Sequence, residues 1–303
     1  YVPVDSPALK AFVIVLATRY ANLADRVFAP SESIRDLLVE RGVTTPVQVI
    51  PTGVYVDQFA AGDRDRARRH WELPAEAFVV GHMGRLAEEK NIGFLADVVA
   101  AFLARGDDRY FLVVGSGDAE AELVGRFRAE GLADRLVCTG VLEGRALADA
   151  MNAMDVFAFA SQSETQGMVL TEAMAAGLPV VGLDAPGVRE VVRDRQNGRL
   201  VAEPSPDGFA EALGWVHDGL AAGEDSLVAS ARETAEAFSM ARSAAAAISC
   251  YRALERSSGA ERAEQDALWD QVRNRIGAEL EILGSIRAAG DEALDELQQT
   301  GPR

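Results

Sequence analysis

Short apolar runs recur through the middle of the chain, at residues 78–83, 110–114, 135–138, 155–160, 179–183 and 199–202. Each ends at a glycine or a polar residue, and none alternates polar with apolar. Predominantly apolar runs of this length fit strands buried on both faces. Between them lie stretches with helical spacing, near 91–105, 118–130, 144–153, 168–176, 187–193 and 206–221. Strand alternating with helix at this interval predicts an α/β fold, a doubly wound parallel sheet of Rossmann-like type.

The flanks read differently. Residues 1–54 resemble the end of a separate α/β unit. A helix is expected from Ala8 to about Leu23, burying Phe12, Leu16 and Tyr20 on one face. A strand at Arg26–Ala29 follows, then a helix capped by Ser31 and closed at Gly42, then a strand at Val47–Ile50. Residues 55–77 form a charged connector, read as a solvated helix rather than an anion patch, although Arg64, Arg66, Arg68 and Arg69 cluster there. His70 and Trp71 read as packing residues. The sheet domain spans 78–256, closing on a helix that opens at Phe238-Ser239-Met240. The tail, 257–303, is acidic and either helical, with Trp269, Val272, Ile276, Leu280 and Leu283 on one face, or disordered.

Composition narrows the class of function. A formal charge of −17 argues against a nucleic-acid groove, which needs a basic stripe. No stretch approaches the ~20 apolar residues of a membrane span. Two cysteines, Cys138 and Cys250, make no disulfide framework and suit a reducing cytoplasm. Three histidines give no metal-ligand grouping. Residue 1 is Tyr, and no signal-peptide pattern follows, so the expectation is a chain truncated at its N-terminus.

The candidate chemistry gathers at one edge of the expected sheet. Gly84-Arg85 through Lys90 follow the first strand, Gly115-Ser116-Gly117 the second, Thr139-Gly140-Val141-Leu142 the third, and Ser163 to Gly167 the fourth. All lie at strand carboxyl ends, which in an open parallel sheet border one ligand crevice. Arg85 and Lys90 are cations suited to a diphosphate, Arg as a fork and Lys as a point charge. Alone, they read equally well as surface cations paired with Glu88 and Glu89. Gly115 and Gly117 lack the third glycine of a dinucleotide turn, and no Walker sequence occurs.

The most informative stretch is Ser161–Val181, SQSETQGMVLTEAMAAGLPVV. It leaves a strand, starts a helix near Gly167 and enters a second strand. The amides of Gln166, Gly167, Met168 and Val169 would face outward at the positive end of the helix dipole, ready for a phosphate. Glu164 lies before the helix and Glu172, eight positions on, in its second turn.

Glu, seven residues, Glu, then Ala-Met-Ala-Ala-Gly-Leu-Pro-Val-Val resembles the signature of family 4 retaining glycosyltransferases of the GT-B fold. The stretches ADRVFAPSESIRDLL and VQVIPTGV resemble the end of that fold's N-terminal domain and its crossover, so 1–54 would be a remnant of the acceptor domain and 78–256 the donor domain. The resemblance implies that Glu164 contacts the transferred sugar and Glu172 the ribose. Arg85 and Lys90 would neutralise the leaving diphosphate, and the loops at Gly115, Gly117, Thr139, Val141 and Leu142 would lie near base and ribose. Thr165 and Gln166 after Glu164 are similar to bacterial enzymes that glucosylate diacylglycerol. That implies a UDP-hexose as co-substrate, no metal or other cofactor, a lipid or glycan acceptor, and a place in the cytoplasm or at the inner membrane face. Three other readings stay open: a nucleotide-sugar-binding module without turnover, a sugar-phosphate synthase or phosphorylase on the same fold, and a dehydrogenase.

Overall fold

The structure, a computed structural model, describes residues 7–257 and residue 276. Two compact units divide the chain, 1–247 and 248–303. The expectations for 257–303 therefore fall almost wholly outside the described residues.

In the first unit, helix α1 (Pro7–Ala21) precedes strand β1 (Val27–Ala29), helix α2 (Glu32–Glu40) and strand β2 (Val47–Val49). β1 and β2 pair in parallel as a two-stranded sheet. Ser31 caps α2 as its sequence predicts, accepting from Ile34 N, and Gly42 follows its end at φ 92°. Asn22 ties α1 to the turn beyond α2, donating to Gly42 O and accepting from Thr44 N. The expected buried face of α1 is not covered among the described residues. Phe12, Leu16 and Tyr20 all stand exposed. Apolar spacing marks a face that wants a partner without saying where that partner lies.

The connector is not a solvated helix. It folds into two short helices, α3 (Val56–Ala60) and α4 (Arg64–His70), and is tied down by its arginines. Arg64 reaches Asp155 Oδ1 at 2.6 Å, Arg66 pairs with Asp149, and Arg68 donates to Asp155 Oδ2 at 2.8 Å. Arg68 is 3% exposed and also gives bonds to the carbonyls of Pro74, Ala75, Ala77 and Ala153. A buried guanidinium needs such saturation to offset its desolvation. Trp71 packs against the core as expected, whereas His70 stays exposed beside it.

The main sheet has six parallel strands: β3 (Phe78–Met83), β4 (Arg109–Val114), β5 (Leu136–Cys138), β6 (Val156–Phe159), β7 (Val180–Leu183) and β8 (Gly198–Val201), in the spatial order β5-β4-β3-β6-β7-β8. Crossovers include α5 (Ile92–Leu103), α6 (Glu120–Ala129), α7 (Gly144–Ala153), α8 (Met168–Ala175) and α9 (Pro186–Arg189), and α10 (Pro206–Ala221) follows the last strand. α11 (Asp225–Ala237) and α12 (Met240–Ser257) follow.

Two apolar cores lie on the two faces of the sheet. Val79, Phe157 and Met174 belong to one, and Val80, Phe111 and Val181 to the other. Adjacent residues of β3, Val79 and Val80, are both fully buried in opposite cores, which accounts for the missing polar alternation. Burial of each such side chain stabilises by about 1.5–3 kcal/mol. Chain order reverses between β3 and β6, so the ligand crevice of an open sheet is expected at their carboxyl ends.

Candidate donor site

A cavity of about 290 Å³ opens at that reversal, lined by His82, Met83, Gly84, Arg85 and Lys90 from the β3 side and by Phe159, Glu164, Thr165, Gly167, Met168 and Val169 from the β6–α8 side. The acid before α8 and the cation after β3 meet directly. Lys90 Nζ donates to Glu164 Oε1 at 2.5 Å, and both side chains are largely buried. Arg85 instead pairs with Glu89 on the exposed rim. The two cations read together in sequence therefore sit differently, Lys90 at the heart of the cavity and Arg85 at its edge.

Helix α8 begins at Gly167, whose φ of 71° suits glycine, and its first amides border the cavity. Met168 is exposed and Val169 half-buried there. Glu172, one turn further, is partly buried, and burial pushes its carboxyl up to about 7. Near neutral pH such a carboxyl is close to half ionised, and hydroxyl donors would favour its charged form.

Gly115 and Gly117 do not line the cavity but pack under it. A Cβ on Gly115 would stand 1.9 Å from Gly84 O, and one on Gly117 would stand 2.2 Å from Leu86 O. Gly115 N also bonds Gly140 O at 2.8 Å, joining the turns after β4 and β5. Thr139 closes that turn by donating to Gly140 O, Val141 is exposed, and Leu142 packs on the core. Gly115 and Gly117 thus buttress the turn carrying Gly84 and Arg85.

Gln166 has a second partner that sequence reasoning missed. Its buried side chain donates to Thr52 O at 2.9 Å and accepts from Thr52 N at 2.7 Å. The 1–54 segment thus docks on the loop that holds Glu164. Ser31 Oγ donates to Thr165 O at 2.5 Å, and Glu190 accepts from the amides of Glu32 and Ser33 at the start of α2. Gly187, also after β7, abuts Glu164, where a Cβ would meet Glu164 O at 2.6 Å. His82 was missed as well. Its one sequence signal is a polar residue inside an otherwise apolar strand.

The parallel sheet, covered by helices on both faces, has the GT-B fold. Residues 63–221, more than half of the chain, match the family described as "Glycosyl transferases group 1", and the chain belongs to that family. The GDP-mannose-dependent alpha-mannosyltransferase of Mycobacterium tuberculosis (strain CDC 1551 / Oshkosh) is 35% identical over 181 residues, covering 59% of this chain and 44% of the relative. The D-inositol 3-phosphate glycosyltransferase of Geodermatophilus obscurus is 32% identical over 297 residues, covering 94% and 64%. Among solved structures, Anabaena HepE in complex with UDP shares the fold at a TM-score of 0.70 and 23% identity, over 83% of this chain and 70% of that one. The chain spans about half the length of the first mannosyltransferases it matches, 44% and 47%. No described helix is long and apolar enough to cross a membrane.

Proposed function

We propose that this chain binds the donor for a retaining glycosyltransferase, which moves a hexose from a nucleoside diphosphate sugar to an acceptor hydroxyl. The observation that carries the reading is the Lys90–Glu164 pair at the mouth of α8. A diphosphate entering there meets a cation and free amides, and the attached sugar meets a carboxylate. Lys90, Arg85 and the amides of Gly167, Met168 and Val169 would stabilise charge on the departing diphosphate, the part a metal plays elsewhere. Glu164 would hold sugar hydroxyls and Glu172 the ribose. Attack on the same face as departure gives retention without a covalent intermediate.

The donor's base is open between two choices. The ETQG pattern favours UDP-hexose and a lipid acceptor, while the relatives named as GDP-mannose-dependent favour guanosine. Calorimetric titration with UDP, GDP, UDP-glucose, GDP-mannose and NAD tests the proposal. It predicts that one nucleoside diphosphate and its sugar bind and NAD does not. Binding of NAD alone would overturn it in favour of a dehydrogenase.

A further inference from the structure

His82 closes the inner wall of the cavity with an acceptor that nothing in the described protein satisfies. Its ring is 2% exposed, lying roughly parallel to those of Phe157 and Phe159 at 6.1 and 6.3 Å. Nδ1 lies 3.1 Å from Ala158 O. A carbonyl can only accept, so Nδ1 carries the proton and Nε2 presents a bare lone pair. Burial pushes the imidazole down to about 4, so this neutral tautomer holds across the physiological range. Nε2 is buried and has no hydrogen-bond partner among the described residues.

Such an orphan is costly in a protein interior, and this one belongs to a residue that lines the cavity. The atom itself is buried. Gly84 stands in front of it, where even a Cβ would be 3.7 Å from Nε2. Lys90 and Glu164 are both close enough to act on the ring's charge. His82 lines the cavity together with Gly84, Lys90 and Glu164, so a ligand seated between Gly84 and Glu164 is the group placed to meet Nε2.

We propose that His82 is a specificity residue for the transferred sugar, its Nε2 accepting a hydrogen bond from a sugar hydroxyl held beside Lys90 and Glu164. The chemistry selects the class of group. A phosphate oxygen has no proton to give to a bare lone pair, whereas a hydroxyl can accept from Lys90 and donate to His82 at once. The proposal rests on the donor-site reading, and it distinguishes a nucleotide sugar from the bare nucleotide. A sugar lacking that hydroxyl leaves the acceptor unpaired and is rejected.

The test combines calorimetry with nitrogen NMR of the imidazole in the whole chain. The Nε2 resonance of the wild-type protein is expected to move when the nucleotide sugar is added and to stay in place with the nucleoside diphosphate. His82→Phe, which keeps the ring packing, is expected to weaken nucleotide-sugar binding by about tenfold, the effect of one hydrogen bond, while binding of the bare diphosphate stays roughly unchanged. If wild-type protein binds both ligands and Nε2 does not move, or moves equally with each, the role of His82 is overturned and the donor site stands. If wild-type protein binds neither, the donor-site reading falls and this proposal falls with it.

Discussion

Glu164 Oε1 accepts a hydrogen bond from Lys90 Nζ at 2.5 Å, closing an ion pair between residues 74 apart in sequence. The pair joins the loop before α8 to the turn after β3 and sets both groups where a donor's diphosphate and sugar would divide. The two acids of this region should then separate by role. Glu172→Ala is expected to weaken nucleoside diphosphate binding by about tenfold, the loss of one charged hydrogen bond. Glu164→Ala should leave that affinity roughly unchanged and remove the preference for the sugar donor. Parallel titrations of both variants check this, and equal behaviour would contradict the assignment.

The glycines under the site carry a stability prediction. Gly115→Ala drives a Cβ to 1.9 Å from Gly84 O at a φ of +132°, where the obstacle is backbone and cannot turn aside. It is expected to destabilise by about 2 kcal/mol or more and to weaken nucleotide binding by moving Gly84. Gly125→Ala, within α6 and with nothing within 4 Å, should instead stabilise by about 0.5–1 kcal/mol. Urea unfolding of the two variants measures the contrast.

Titration of Glu172 gives a pH signature. Its folded pKa, raised to about 7 by burial, means that the folded state holds a proton the unfolded state has released. Its contribution is intact below about 4.5 and is lost as pH rises through 7, so Glu172→Gln should gain on the parent between pH 5 and 8, by up to about 3 kcal/mol. In the proposed role, ribose hydroxyls would donate to the ionised form. Nucleotide affinity should therefore rise from pH 6 to 8 in the parent and stay flatter in Glu172→Gln. Calorimetry across that range reads it.

Asp155 anchors the connector. Its Oδ2 accepts from Arg68 Nη2 and from Val79 N at 2.7 Å, and Oδ1 accepts from Arg64. Asp155→Ala leaves Arg68 buried without its counter-charge, a loss of about 3–5 kcal/mol. Thermal unfolding should show a large fall, whereas truncating the exposed Arg69 should change little.

What sequence could reveal follows from how far apart partners lie. The inner strands of the main sheet were legible because their residues are mostly apolar and buried on both faces. The start of α8 was legible because its glycine, acids and following strand are contiguous. The arginines of 64–68 were not, because Asp149 and Asp155 lie some eighty to ninety residues away. Gln166 was expected to offer only its amide, since Thr52, its side-chain partner, lies in the preceding segment. The apolar face of α1 was legible as a pattern, but a pattern names no partner, and Phe12 and Tyr20 remain exposed.

The most direct test of the donor site compares nucleoside diphosphate with nucleoside, by calorimetry, in the parent chain and in Lys90→Met. Met keeps most of the aliphatic stem and removes the charge at the centre of the cavity. The account predicts that the parent strongly prefers the diphosphate and that the variant loses about tenfold or more of that preference, the scale of a charged hydrogen bond. An unchanged preference in Lys90→Met would place the diphosphate somewhere other than between β3 and α8, and the site described above would be wrong.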